Sequence, residues 1–200
     1  MVKSRFLKTT GPWTVRTCEP RYDNPWLRVE HNDVVHPDGR DGIYGVVRFK
    51  NVAVGVLPIF EDGTVPLVGQ HRFPSDTYSW ELPEGGGPAG EDDLETARRE
   101  LAEETGLIAA SWLPLIDFDV SNSVTDERSA CFLAWDLTPG PTAPESSEEL
   151  AHDRVAFSEL MARCLDGRIR DSLTLVMTLT AHARALRGDL PENISAKLLA

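Results

Sequence analysis

The 200 residues carry 20 lysines and arginines against 32 aspartates and glutamates, a formal net charge of −12. That excess of acid argues against non-specific binding to nucleic acid or to an anionic membrane surface. It would also repel a phosphorylated substrate unless divalent cations and a few placed arginines reverse the field locally. A hydrophobic fraction of 41% and a charged fraction of 26% are ordinary for a soluble globular chain, and this length suits one domain with room for a small appendage. Cys18, Cys131 and Cys164 are odd in number and lack metal-ligand spacing, so they read as reduced thiols of a cytoplasmic protein. The opening MVKSRFLKTTGPW lacks the apolar core of a signal peptide, and the apolar stretch around Val52 to Phe60 is too short to span a bilayer.

Residues 12 to 50 read as strands separated by turns. Trp13 to Cys18 alternates, Trp26 to Val35 follows an Asp-Asn-Pro turn, and Tyr44 to Phe49 follows His36-Pro37-Asp38-Gly39. The expectation is a small antiparallel sheet over residues 1–50, ahead of a main domain over 51–188 and a tail over 189–200. A sheet of this kind has an exposed face or edge to cover, and a homodimer would cover it.

Val52 to Ile59 is nearly continuous in apolar residues, as expected of a strand buried on both faces. Glu61-Asp62-Gly63 turns into a second strand ending near Gln70. Then come Arg72-Phe73-Pro74 and Trp80-Glu81-Leu82-Pro83-Glu84. Arg72 either grips a phosphate or pairs with an acid. Trp80 either stacks on a base or packs in the core, with the core as the default. Glu81 either reads a ribose or base, or bridges to Arg72.

Residues 85–107, GGGPAGEDDLETARRELAEETGL, predict a helix from Glu91 or Asp92 to a glycine cap at Gly106. Leu94, Ala97 and Leu101 give it a buried stripe, while Glu100, Glu103 and Glu104 put three carboxylates on one face. Crowded like charges require full solvation or a cation among them. After the helix, Trp112 to Val120 and Ala130 to Leu137 read as strands, with Thr138 to Leu150 a proline-rich acidic loop. A short strand over Arg154 to Phe157 precedes a short helix. A longer helix follows, capped by Asp171 or Ser172, with Leu173, Val176, Leu179, Ala183 and Leu186 as its apolar stripe. Strands, helix, strands, helix imply an α/β fold, a mixed sheet covered by helices.

The spacing G-x5-E-x7-R-E-U-x-E-E-x-G-U, with U aliphatic, is met at Gly85, Glu91, Arg99, Glu100, Leu101, Glu103, Glu104, Gly106 and Leu107. This resembles the signature box of the Nudix hydrolases. The resemblance implies an α/β/α sandwich and a hydrolase of diphosphate bonds. It implies that Glu100, Glu103 and Glu104, with the Gly85 carbonyl, bind Mg²⁺ or Mn²⁺. It leaves Glu91 and Arg99 to brace the helix. The Trp-Glu-Leu-Pro run looks like the branch acting on ADP-ribose and other nucleoside diphosphate sugars, such as GDP-mannose. Glu84 departs from the alanine common there. In that branch the general base is a glutamate on a loop after the box, which makes Glu148 the first candidate, with Glu149, Glu145 and Glu127 behind it. Homodimers that exchange N-terminal sheets are common in that branch, so Trp26 and Arg28 are expected to reach a partner's nucleotide pocket. Two other readings remain: a nucleoside triphosphate pyrophosphatase, and a silent nucleotide-binding regulatory module.

Overall fold

The computed structural model describes residues 8–88, 90–140 and 150–200, and the chain divides into two units. The first joins the residues up to Val52 with Asp119–Arg128; the second joins Ala53–Phe118 with Ser129–Ala200.

The first unit is an antiparallel sheet of β1 (Lys8–Thr10), β2 (Trp13–Asp23), β3 (Leu27–Val35) and β4 (Asp41–Phe49), in that order. Its turns follow from their residues. Asn24 Oδ1 accepts from the N–H groups of Trp26 and Leu27, at 2.9 and 2.8 Å, closing the β2–β3 connection. Gly39 supplies a φ of +87° between β3 and β4. The segment 119–128 is laid along β4: Val47 N–H donates to the Val124 carbonyl at 2.9 Å, and Phe49 N–H to Asp126 Oδ1 at 2.9 Å. The Tyr44 hydroxyl donates to the Ser123 carbonyl at 2.6 Å.

The second unit holds β5 (Asn51–Pro58), β6 (Thr64–Arg72), β7 (Thr77–Glu81), β8 (Glu84–Pro88), β9 (Leu107–Asp119), β10 (Arg128–Pro139) and β11 (Ala151–Ala156). One sheet has the order β8-β5-β10-β9, with β5 parallel to β10, and the other is antiparallel β11-β6-β7. The helices are α1 (Asp93–Thr105), α2 (Phe157–Leu165), α3 (Ser172–Arg187) and α4 (Glu192–Leu198). The chain is therefore α/β with a mixed sheet, preceded by an N-terminal antiparallel sheet, the class its pattern implied. No helix among the described residues is long and apolar enough to cross a membrane.

The core sits where the apolar run promised. Val54, Val56 and Leu57 of β5, Val65 and Leu67 of β6, and Leu133 of β10 are fully buried. A side chain at Gly55 would strike the Met177 methyl at 2.8 Å, so α3 lies directly against β5 there. The buried face of α3 differs from the expected one. It is Leu173, Thr174, Met177, Thr178, Ala181 and Ala185, while Leu179 and Leu186 are exposed. Apolar residues surround this helix, so periodicity alone leaves its facing open. Packing selects the side with small residues, and Thr174 meets its burial by accepting from Leu82 N–H at 2.9 Å.

At the C-terminus α4 is docked rather than frayed, with Ile194 fully buried and Leu198 nearly so. Lys197 Nζ bonds Glu61 at 2.6 Å. Ile194→Ala is expected to cost roughly 2–5 kcal/mol of unfolding free energy, measured by urea denaturation. A loss below about 0.5 kcal/mol, as for a surface change, would mean that α4 contributes no core.

Candidate active site

The site is built on the contact between β8 and α1. A Cβ at Gly85 would lie 2.1–2.4 Å from the Glu100 carboxyl atoms, and one at Gly87 would lie 2.5 Å from the Thr96 hydroxyl. Only glycine lets the strand backbone pass this close to the helix. Asp92 caps α1 by accepting from Leu94 and Glu95 N–H, and Gly106 ends it at a φ of +66°.

This packing buries the acidic face. Glu100 and Glu104 are 8% and 7% exposed, and Glu103 stands nearer the surface. Glu104 Oε2 accepts from Glu84 N–H at 3.0 Å, and its carbonyl accepts from His152 Nε2 at 2.6 Å. Arg99 supplies the counter-charge. Its Nη1 lies 2.7 Å from Glu100 Oε1 and 2.9 Å from Glu103 Oε2, and its Nη2 donates to the Gly86 carbonyl at 3.2 Å. Glu91 is 3.7 Å from Arg99 and accepts from the Thr96 hydroxyl at 2.8 Å, so it braces the first turns of the helix. The donors on this face are all hard oxygen, carboxylates with the β8 backbone beside Glu100, but among the described residues the acids whose oxygens come within 4.8 Å of one another are Glu81, Glu84 and Asp171 rather than Glu100, Glu103 and Glu104. Hard oxygen donors fit Mg²⁺ or Mn²⁺ and do not suit a thiophilic metal.

A second acidic group stands beside the first. Arg72 Nε donates to both oxygens of Glu81, at 2.9 and 3.1 Å, and Arg72 Nη2 to Glu81 and to Glu84 Oε1, the latter at 2.9 Å. Of the two alternatives for Arg72 and Glu81, the structure has them bridged. Burial works against the charge of Arg72, but the bonds to Glu81 and the charges of Glu84 and Glu81 outweigh it and raise its pKa. Oxygens of Glu81, Glu84 and Asp171 lie within 4.8 Å of one another. Burial, then the charges of Asp171 and Glu81, push the Glu84 carboxyl well above its ordinary range, against the pull of Arg72. Glu84 Oε2 is buried without a hydrogen-bond donor. The raised pKa favours a protonated Glu84 beside Asp171. Asp171 also caps α3, accepting from Thr174 N–H at 2.7 Å.

These residues border a cleft of about 500 Å³ between the β6–β7 hairpin and the α2–α3 loop, lined by Arg72, Tyr78, Glu81, Arg168, Arg170 and Asp171 among others. Trp80 is half-buried and meets Tyr78 edge to face at 5.7 Å, with both rings over Gly69. The aromatic ring that lines the cleft is Tyr78, which sequence reasoning passed over. It passed over Arg168 and Arg170 too, and saw Asp171 only as a cap. The strand alternation Tyr78-Ser79-Trp80 was the one available signal for Tyr78.

The remaining expected residues lie elsewhere. Glu145, Glu148 and Glu149 fall outside the described residues. Glu127 belongs to the first unit, where burial raises its pKa. Trp26, 64% exposed, and Arg28, 3.2 Å from Asp23, also belong to the first unit. The three cysteines are free, and burial pushes the Cys131 thiol up to about 11, which leaves it unreactive.

Comparison with known proteins agrees with this geometry. Residues 13–47 match the family described as "Nucleoside diphosphate sugar hydrolase N-terminal domain". The chain is 34% identical over 134 residues to an ADP-ribose pyrophosphatase of Mycobacterium tuberculosis, covering 66% of this chain and 65% of that protein, just under two thirds of its length. It is 30% identical over 165 residues to a methanol dehydrogenase activator of Bacillus methanolicus, covering 82% and 88%. It is 34% identical over 144 residues to an ADP-ribose pyrophosphatase of Bacillus subtilis, covering 72% of each. A solved structure described as "Crystal structure of ADP compounds hydrolase" shares the fold, with a TM-score of 0.79 at 22% identity over 91% of this chain and 98% of that one. Residues 49–175, well over half of the chain, match the family described as "NUDIX domain", and the chain belongs to that family.

Proposed function

We propose that the protein is a metal-dependent pyrophosphohydrolase of nucleoside diphosphate sugars, of the ADP-ribose or GDP-mannose type, releasing a nucleoside monophosphate and a sugar phosphate. The observation that carries this reading is the burial of Glu100 and Glu104 on the face of α1 that meets β8. Carboxylates gathered there out of bulk water, with Arg99 shared between two of them, suit a divalent cation that would balance the crowded charge. The two ADP-ribose pyrophosphatases among the relatives, and the N-terminal match to nucleoside diphosphate sugar hydrolases, support the substrate class.

In this reading Glu100, Glu103, Glu104 and the Gly85 carbonyl hold Mg²⁺ or Mn²⁺. The ion supplies charge neutralisation at the diphosphate and an acidified water. Arg99 then keeps Glu100 and Glu103 aligned from the side, and the Glu84 N–H holds the Glu104 carboxylate by its Oε2. The attacking water gives its proton to a glutamate, Glu148 first, with Glu149 and Glu127 as the other candidates. Water's oxygen bonds phosphorus as the bridging P–O bond breaks, and the bridging oxygen leaves with the departing phosphate. Arg72 and Glu81, which line the cleft, and Trp80, packed against Tyr78 beside it, are the substrate-binding residues of this reading.

A cytoplasmic homodimer completes the proposal. Three free cysteines suit a reducing compartment. Tyr22, Trp26 and Ile43 expose 58%, 64% and 68% on the N-terminal sheet, and a second copy would cover such a surface. In that dimer Trp26 and Arg28 are the residues offered to the neighbouring pocket.

The direct experiment follows nucleoside monophosphate formation by ion-exchange chromatography over a panel of sugar nucleotides and nucleoside triphosphates. Activity on the sugar nucleotides should vanish with a chelator and return with added Mg²⁺ or Mn²⁺; activity that survives chelation refutes the metal site. Glu104→Gln should lower kcat by about a hundredfold or more while the circular dichroism spectrum stays unchanged. An unaltered rate removes Glu104 from the machinery.

Glu84 gives a pH test on the metal-free protein. Its folded-state pKa is raised above the ordinary 4.5, so above that pH the folded state retains a proton that the unfolded state has lost. Stability contributed by this acid is whole below that point and declines as pH rises toward the folded-state value. Glu84→Gln keeps the shape and can donate to Asp171 at every pH. In urea unfolding the variant should therefore be as stable as the parent near about pH 4 and more stable near about pH 8. An equal or lower stability at the higher pH would show that Glu84 is ionised in the fold.

A further inference from the structure

We propose that the cleft between the β6–β7 hairpin and the α2–α3 loop receives the sugar end of the substrate, and that Arg170 selects sugars bearing an additional anionic group, a carboxylate or a phosphate. This rests on the function proposed above and specifies its substrate class. The cleft is connected to the catalytic helix within one unit: Arg72 donates to Glu84 Oε1, and Glu84 N–H donates to Glu104. In this proposal one end of a diphosphate held at α1 extends into the cleft along the Glu104–Glu84–Arg72 link.

The wall has the chemistry of a polyol site. Thr77, Tyr78, Ser79 and Ser172 bring hydroxyls, and three guanidiniums stand among them. Two of these guanidiniums are committed. Arg72 is held by Glu81 and Glu84, and Arg168 by Asp166 and Glu159, at 2.7 and 2.9 Å. Arg170 is exposed and has no hydrogen-bond or ion-pair partner among the described residues. In a chain with a net charge of −12, a guanidinium left without a carboxylate is notable. The acids nearby are already engaged: Glu81 by Arg72, and Asp171 by the Thr174 N–H and by Glu84.

The platform beneath Arg170 is also rigid. On one side Ile169 is 2% exposed, and its N–H donates to the Arg163 carbonyl at 2.9 Å. On the other side Asp171 is fixed as the cap of α3. A cation on a fixed backbone loses little entropy on binding, and a guanidinium matches carboxylate or phosphate through paired donors.

The test compares matched substrates with the full chain and Mg²⁺: UDP-glucuronate against UDP-glucose, and ADP-ribose 1″-phosphate against ADP-ribose. The acidic member of at least one pair should have the higher kcat/KM. Arg170→Ala should cut that acidic-to-neutral ratio roughly ten- to hundredfold, mainly through KM, and Arg170→Lys should restore part of it. The pair that responds identifies the anion as carboxylate or phosphate. If sugar nucleotides are hydrolysed but Arg170→Ala changes neither ratio, this inference is overturned and the function stands. If the parent hydrolyses no sugar nucleotide at all, the function falls and this inference with it.

Discussion

The closeness of the Gly85 backbone to the Glu100 carboxylate is the constraint on which the site depends. Any side chain at position 85 would occupy the place of the carboxyl group itself. Because β8 passes α1 with no side chain at Gly85 or Gly87, its backbone lies directly against the Glu100 carboxyl group and the Thr96 hydroxyl. The same contact shuts water away from Glu100 and Glu104. A glycine run that would be a weak link elsewhere is here what lets strand backbone and helix carboxylate lie side by side. Asp92 and Gly106 serve the same end, since they hold α1 to a fixed length and phase.

So much negative charge in one region must be balanced, and the protein does it in three ways. Arg99 lies across Glu100 and Glu103 on α1. Arg72 lies across Glu81 and Glu84. Between Glu84 and Asp171, burial and the neighbouring charges raise the Glu84 pKa and so favour a proton there. The carboxylates are thus graded by environment. Those on α1 share Arg99, while burial among other acids raises the pKa of Glu84. Strongly perturbed carboxyl groups of this kind cluster at functional sites.

Much of this was legible in the residues. The box gave α1, its C-terminal glycine cap and the three-carboxylate face, because each rests on local geometry: helix periodicity and a left-handed glycine; Asp92, expected at the start of the helix, is its N-cap. The apolar run gave the buried β5. What escaped was set by contacts distant in the chain. The facing of α3 depended on Gly55 admitting Met177, a pairing that no window of the sequence contains. Asp171 looked like a cap and is one, yet its neighbour Glu84 lies 87 positions earlier in the chain. The cleft joins a hairpin and a loop nearly a hundred residues apart, so neither Tyr78 nor Arg170 could be singled out. Glu84 was noticed as a departure from a pattern, and the structure gives that departure a physical meaning.

The segment 119–128 completes the N-terminal unit although strands of the other unit precede it in the chain. Its bonds to β4 join positions 77 to 79 apart. During synthesis on the ribosome, β4 therefore emerges well before the residues that line its edge. Until Asp126 is made, the N–H of Phe49 and the guanidinium of Arg48 lack partners they will later have. The two units cannot mature strictly one after the other, and the nascent sheet has an open side through much of translation. Slow, long-range closure of this kind exposes a chain to mispairing, and it makes the timing of elongation part of how this protein reaches its form.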